Sequence, residues 1–207
     1  MTIGQIYEKY HIMPNLQTHM YRVSVVARVL CTHFENECDA ESVISAALLH
    51  DMGNILKFDL TGQEKWLHLQ REFKEKYGTD EYVATVAISR EVGVTQRVVE
   101  LIYSLSFSQS SENVTTPDYE KKLCAHADMR VAPRGVVALD ERLRDLEERY
   151  AARYPSAEDQ RRREHFRQDA YTLERQIFAQ CDILPSDITD RTVKSFFTIL
   201  SAGDKII

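Results

Sequence analysis

Chain breakers are scarce in this sequence of 207 residues, which holds only 7 glycines and 5 prolines. With so few enforced stops, long helices are expected, and no stretch alternates apolar and polar residues convincingly enough to mark a strand. Residues 103–107 are the one place with any strand character. No segment repeats with a period of 20–50 residues, which excludes a solenoid. The four cysteines, Cys31, Cys38, Cys124 and Cys181, form no CxxC pair. Neither a thiolate metal site nor a disulfide framework is indicated. A basic excess is missing too. The net charge of −6 argues against a nucleic-acid polymer as partner, while leaving room for a local basic pocket. No window approaches the length of apolar residues that a membrane span needs, so no membrane partner is expected. Met1-Thr2-Ile3-Gly4-Gln5 lacks the basic-then-apolar order of a signal peptide. The resulting expectation is a cytoplasmic protein with reduced thiols.

What the chain does have is helical periodicity. Hydrophobic residues make up 43% and charged residues 28%, the balance of a soluble globular protein. After a short helix over residues 3–10, Leu16, Met20, Val23, Val26, Ala27, Leu30 and Phe34 recur at three and four. They outline a helix of about 20 residues begun by Pro14. Asp39 caps the next helix, which turns Val43, Ile44, Ala47 and Leu48 inward and stops or bends near Gly53. Thr61 and Glu64 read as a capping box for a helix reaching Tyr77-Gly78. Thr79 or Asp80 caps a helix through Val83, Val86, Ala87 and Val92 to Gly93. Thr95 caps another, with Val98, Val99, Ile102 and Leu105 inside. Residues 106–116 are serine-rich, show no period and read as a surface loop. Pro117 opens a helix carrying Leu123, Cys124, Ala127 and Asp128, which ends before Ala132-Pro133-Arg134-Gly135.

Beyond that boundary, Val136, Leu139, Leu143, Leu146 and Tyr150 repeat at helical spacing. After a turn at Tyr154-Pro155-Ser156, so do Phe166, Ala170, Leu173, Ile177 and Cys181. This is an αα-hairpin with mixed-charge outer faces. A final helix follows Pro185, with Val193, Phe196, Phe197 and Leu200 on one side. The expected fold class is therefore all-α. Residues 1–135 form one helical domain, and residues 136–207 form a hairpin and final helix that pack on it or make a homodimer contact.

A few polar side chains fall on the apolar faces. His19 lies on or beside the stripe of the first long helix. The run Ala46-Ala47-Leu48-Leu49 ends in His50-Asp51, followed by Gly53 and Asn54. Asp128 sits among Leu123, Cys124 and Ala127. Each alone is most simply a satisfied buried group. Burying all of them is costly unless something pairs with them, and a divalent metal would do so. Two imidazoles and two carboxylates form a mixed nitrogen and oxygen set that suits Mn, Fe, Co, Ni or Zn, with Mg a poorer match. Adjacent helical side chains diverge by about 100°, so one ion can touch His50 and Asp51 only at a helix end with room beside it. Cys124 reads as a small buried hydrophobe. His126 points about 160° away from Asp128 and off the site. His11, His33 and His165 read as surface, Trp66 as core, and Arg161-Arg162-Arg163 as a solvated face.

His19, then His50-Asp51, then Asp128, each on its own helix, resembles the HD-domain superfamily of metal-dependent phosphohydrolases. Thr18-His19-Met20-Tyr21-Arg22-Val23 and Ala46-Ala47-Leu48-Leu49-His50-Asp51-Met52-Gly53 are similar to its motifs. The likeness covers roughly residues 14–135. It implies an HD-type helical bundle, to which the C-terminal hairpin and terminal helix are added. It further implies that His19, His50, Asp51 and Asp128 hold one divalent cation. The expected reaction is water attack on a phosphate ester of a small molecule, a nucleotide or another phosphomonoester. Asp51, Arg22 and Lys57 are the catalytic candidates, with Arg130 and Arg134 as further cations for the phosphoryl charge.

The sequence also departs from better-known members. Some nucleotidases of the superfamily carry a glutamate three residues after the aspartate, and its signalling phosphodiesterases carry a lysine there; this chain has Asn54. Asn54 cannot readily transfer a proton, which keeps open a second reading, a non-catalytic or weakly catalytic nucleotide sensor. Only His68 lies between the His-Asp pair and His126, too little for the binuclear sites of the family's oxygenases.

Overall fold

Side-chain caps place most helix starts in the computed structural model, which describes residues 1–151 and 155–197, with side chains to residue 193. Helix α1 (Ile3–Lys9) opens on a capping box of Thr2 and Gln5. Helix α2 (Pro14–His33) starts on its proline, whose missing N–H is no loss in a first turn. Helix α3 (Ala40–Leu49) is capped by Asp39, which accepts from the Ser42 amide. Helix α4 spans Glu64–Tyr77. Helix α5 (Glu81–Val92) is capped by Asp80 and closed by left-handed Gly93. Thr95 caps α6 (Gln96–Ser104). Helix α7 is Ser110–Thr115, and Asp118, one residue after the expected Pro117, caps α8 (Tyr119–Asp128). Helices α9 (Leu139–Tyr150) and α10 (Ala157–Phe178) form the expected hairpin, and α11 is Asp190–Phe197. Tyr154 and Leu200 lie outside the described residues, as do the side chains of Phe196 and Phe197.

Four local expectations are corrected. Thr61 does not cap α4: its amide and hydroxyl both donate to Asp59 Oδ1, at 3.1 and 2.7 Å. An aspartate two residues upstream captures the group that a capping box needs. Residues 106–116 are not a loop but a 3₁₀ turn, Phe107–Gln109, followed by α7. Their anchors are polar and leave no apolar period. Asn113 Nδ2 donates to Ser104 O at 2.7 Å, and the Ser110 and Ser111 hydroxyls each donate to Asp169 Oδ2 at 2.8 Å. Residues 103–107 form no strand: Tyr103 and Ser104 end α6, Leu105 caps it, and Phe107 begins the 3₁₀ turn. The ladder is instead β1 (Val131–Ala132) against β2 (Gly135–Val136), antiparallel. Val83, expected inside, is 53% exposed, because α5 packs through Ala84, Thr85 and Ile88.

The core forms where α2 lies along α3, with α6 and α8 packed on α3 and α8 also on α2. Val23, Val26, Ala27 and Leu30 meet Val43, Ala46 and Ala47, all with no exposed surface. Alanines at these positions let the backbones approach closely, which brings the ends of α3 and α8 near the first half of α2. Trp66 packs partly buried against this core. Helix α10 packs on α7 and α8, and α11 on α2. Leu173, Ile177, Ile188 and Val193 join the main core, while Met129, Leu139, Leu143, Leu146 and Ala170 make a smaller one. Among the described residues no helix is long and apolar enough to cross a membrane.

Arg130, a sequence candidate for phosphate contact, has another task. It is 2% exposed, and its guanidinium donates to Val137 O at 2.7 Å, Pro185 O at 3.1 Å and Ile188 O at 2.8 Å. It ties the end of α8 to the segments on either side of the hairpin. Arg130→Met should therefore destabilise the protein by about 2–4 kcal/mol, since it removes charge-assisted bonds and leaves three carbonyls poorly paired. Denaturant unfolding measures this, and an unchanged midpoint would show that the latch carries no stability.

Candidate metal centre

Three separate helices deliver four side chains to one place. His19 projects from the second turn of α2. His50 and Asp51 follow the last residue of α3, and Asp128 is the last residue of α8. His19 Nε2 lies 2.9 Å from Asp128 Oδ1 and 3.7 Å from Asp51 Oδ2. His50 Nε2 lies 3.6 Å from Asp51 Oδ1 and 3.7 Å from Asp128 Oδ1. One ligand atom each from His19, His50 and Asp128 can be chosen so that all lie within 4.8 Å of one another. Asp51 sits beside them, one oxygen toward each imidazole.

The local chain explains how neighbouring residues share this point. After Leu49 the backbone tightens: Met52 N donates to Leu49 O at 3.2 Å and Asn54 N to Asp51 O at 3.1 Å. His50 Nδ1 lies 2.8 Å from Ala47 O. A carbonyl can only accept, so Nδ1 carries a proton and Nε2 is the nitrogen that faces Asp51 and Asp128, its lone pair open to a cation once its own proton has left. Gly53 then makes the turn fit. Its φ of −90° is ordinary, so the glycine is needed for space, not for backbone freedom. A Cβ there would stand 2.9 Å from both Ala84 Cβ and Thr85 N of α5. The Gly53 amide donates to Thr85 Oγ1 at 2.9 Å.

Electrostatics set the group apart from an ordinary polar cluster. His50 Nε2 and Asp128 Oδ1 are buried with no hydrogen-bond partner outside the cluster, where Asp128 Oδ1 has only the imidazole contacts just given. Leaving such atoms unpaired normally costs about 1–3 kcal/mol each. Burial pushes the His50 pKa down, but the Asp51 charge and then Asp128 outweigh it and raise the value to about 9. Burial likewise pushes Asp128 up, yet the facing imidazoles, His19 first, hold it well below the usual carboxylate range. Imidazole nitrogens and carboxylate oxygens converging with unspent lone pairs fit a divalent cation.

The cationic candidates are placed as follows. Arg22, one turn after His19, makes a 3.5 Å contact from Nη1 to Pro133 O. Lys57 Nζ is paired with Glu81 Oε1 at 2.8 Å, and Arg134 with Glu141 Oε1 at 3.2 Å. Among the described residues no ion pair joins these three to the four-residue cluster. Arg130 faces elsewhere, as above. His126 lies off the cluster, buried against Phe178 and 3.6 Å from Glu174 Oε2. Burial lowers its pKa to about 3. His33 and His165, read as surface, are solvent-accessible, and His33 pairs with Asp182 at 2.8 Å while His165 contacts Ser111 at 3.0 Å. Asp182 and Ser111 are more than 50 residues away in sequence from these histidines, whereas Asp169, 3.6 Å from His165, is only one helical turn on. Sequence reasoning also missed two supports of the His-Asp turn, Thr85 and Tyr7, whose hydroxyl donates to Leu48 O at 2.7 Å. Both sit on apolar helix faces like any core residue.

A family model described as 5'-deoxynucleotidase YfbR-like matches residues 7–132 of the chain. The matched span contains all four clustered residues and ends before the α9–α10 hairpin. No curated protein and no solved structure gives a match.

Gly53→Ala should cost about 1–3 kcal/mol of stability, because α5 would have to move off the turn to admit the methyl group. Thermal or denaturant unfolding reads this directly. A variant as stable as the parent would show that the turn is not held flush against α5.

Proposed function

The chain belongs to the YfbR-like 5'-deoxynucleotidase family, a family of HD-domain phosphohydrolases, and from that premise we propose how its own residues carry the reaction. The protein is a metal-dependent phosphoric monoester hydrolase acting on nucleotides, which are its small phosphorylated substrates. His19, His50, Asp51 and Asp128 are the ligands of its divalent cation. The observation that carries this assignment is the pair of buried atoms without a partner outside the cluster, His50 Nε2 and Asp128 Oδ1, facing one another across 3.7 Å. The bound cation supplies Lewis-acid polarisation of the phosphoryl group and a water of lowered pKa.

The chain's side chains do the rest. The His50 side chain is only 5% exposed, whereas His19 and Asp51 are about one-fifth exposed. Substrate therefore approaches over His19 and Asp51. Asp51 is the more open carboxylate of the two and serves as proton acceptor for the attacking water. Arg22 has spent little of its guanidinium on Pro133 O and holds a phosphoryl oxygen. Lys57 contributes after exchanging Glu81 for phosphate, from a side chain that is 48% exposed. Asn54 orients water through its amide without transferring a proton. Residues 1–135 make the catalytic domain. Residues 136–207 are a helical addition that packs on it through α10, with homodimer formation through its outer face as the alternative. The free thiols and the lack of a membrane-crossing helix among the described residues favour the cytoplasm.

Phosphate release from a panel of nucleoside monophosphates, assayed with Mn²⁺, Co²⁺, Ni²⁺ and Mg²⁺ in turn, tests the reading. His50→Ala, Asp51→Ala and Asp128→Asn should each lower kcat/KM by about 10³-fold or more with helicity retained. Full activity in any of them would remove that residue from the site.

A pH series gives a second check. With its pKa raised to about 9 in the metal-free protein, His50 binds a proton that the cation must displace. Metal affinity should rise with pH by up to about tenfold per unit and level off near that value. For the metal-free fold the sign is opposite. The raised pKa adds stability that is fully present below about pH 6.5 and is lost as pH rises through about 9. Calorimetric titration in buffers of different ionisation enthalpy should find about one proton released per cation at pH 7.5, and none released would contradict the assignment.

A further inference from the structure

We propose that Thr85 of α5 is the positioning residue for His50 and Asp51: its hydroxyl oxygen fixes the Gly53 amide, and with it the turn that carries both ligands. The inference rests on the metal reading above and extends it to a residue that touches neither cation nor substrate.

The stretch from Leu48 to Gly53 leaves helical geometry just where two ligands must be held. It is pinned at both ends by buried side-chain hydrogen bonds from other helices. At the start, the Tyr7 hydroxyl of α1 donates to Leu48 O at 2.7 Å. At the end, the Gly53 amide donates to Thr85 Oγ1 at 2.9 Å. Thr85 is 1% exposed, so water cannot take over as acceptor. Its own hydroxyl proton goes to Glu81 O at 2.8 Å, within α5. That bond fixes the rotamer and leaves an oxygen lone pair aimed at Gly53. The absent side chain at Gly53 lets the turn sit directly on Ala84 and Thr85, so the bond is made at the closest approach of the two elements. The hydrogen bond from His50 Nδ1 to Ala47 O sets the imidazole's rotation but does not place Asp51. The register of Asp51 against His19 and His50 is set by where the turn ends, and Thr85 sets that end. Ligand groups must hold to within about half an ångström for tight binding, so a slackened turn is read first as weaker metal affinity.

The test uses the full-length protein and Mn²⁺ as probe, with affinity measured by chelator competition, well below the melting temperature of every variant. Thr85→Val keeps the shape and removes the acceptor. It should weaken Mn²⁺ binding by about tenfold or more, in line with other residues that orient metal ligands. Thr85→Ser keeps the oxygen and should bind within about twofold of wild type, although it loses a buried methyl. Ile88→Val, at another fully buried position of α5, should lower the melting temperature and leave affinity within about twofold. Should Thr85→Val not fold, Thr85→Cys replaces it, its weakly accepting sulfur giving an intermediate loss. In turnover, the Thr85→Val defect should shrink as Mn²⁺ is raised while the folded fraction, followed by circular dichroism, stays constant; a folded fraction that rises with Mn²⁺ in step with activity would mark a folding defect instead and overturn the proposal. Wild-type affinity in Thr85→Val, or an equal loss in Thr85→Ser or Ile88→Val, overturns the proposal. A wild-type protein with no Mn²⁺ site sensitive to His50→Ala overturns the metal reading itself and this inference with it.

Discussion

An imidazole nitrogen and a carboxylate oxygen, both buried and with no partner outside their own cluster, form the constraint around which this molecule is arranged. Outside the four-residue cluster itself, the surrounding fold gives neither atom a hydrogen-bond partner. Beside a core of valine, leucine and alanine, such a pair is tolerable when a cation completes it. The metal requirement of the family thus appears as a physical feature of this chain. It consists of mutually facing donors, a raised His50 and a depressed Asp128, each shifted mainly against the direction in which burial alone would take it.

The helices serve that point. Small residues along α2, α3 and α8 bring the three backbones close, so that a mid-helix histidine, a helix end and a second helix end converge. The two helix ends matter because the chain can turn there. His50 and Asp51 can face one point only because the backbone tightens after Leu49 and is then stopped against α5 at Gly53. At the other helix end, Arg130 binds three carbonyls within two residues of Asp128. The C-terminal third is thereby tied to the element that carries Asp128, even though that third lies beyond the family match.

Much of this was legible in the sequence because the strongest signals are periodic or chemical. The apolar stripe from Leu16 to Phe34, the caps Asp39, Asp80 and Thr95, and the histidines and aspartates interrupting apolar faces all point to their structural roles locally. What was not legible depends on distant partners. Helix α7 is held by Asn113 and two serines bonding to Ser104 and Asp169, so it carries no apolar period. Thr61 looks like a cap until Asp59 is seen to hold its hydroxyl. Arg130 looks like a phosphate ligand because its neighbour in sequence is a site residue, yet its partners lie up to 58 residues on. Gly53 was expected to supply room at a helix end, and instead its lack of a side chain lets α5 close on the turn.

The most direct measurement is a crystal structure of protein purified without chelators, with anomalous diffraction collected across the absorption edges of Mn, Fe, Co, Ni and Zn. A single anomalous peak within coordination distance of His19 Nε2, His50 Nε2, Asp51 and Asp128 is the result expected. Density showing His50 Nε2 and Asp128 Oδ1 satisfied by protein groups, or an ion bound by other residues, would contradict the account.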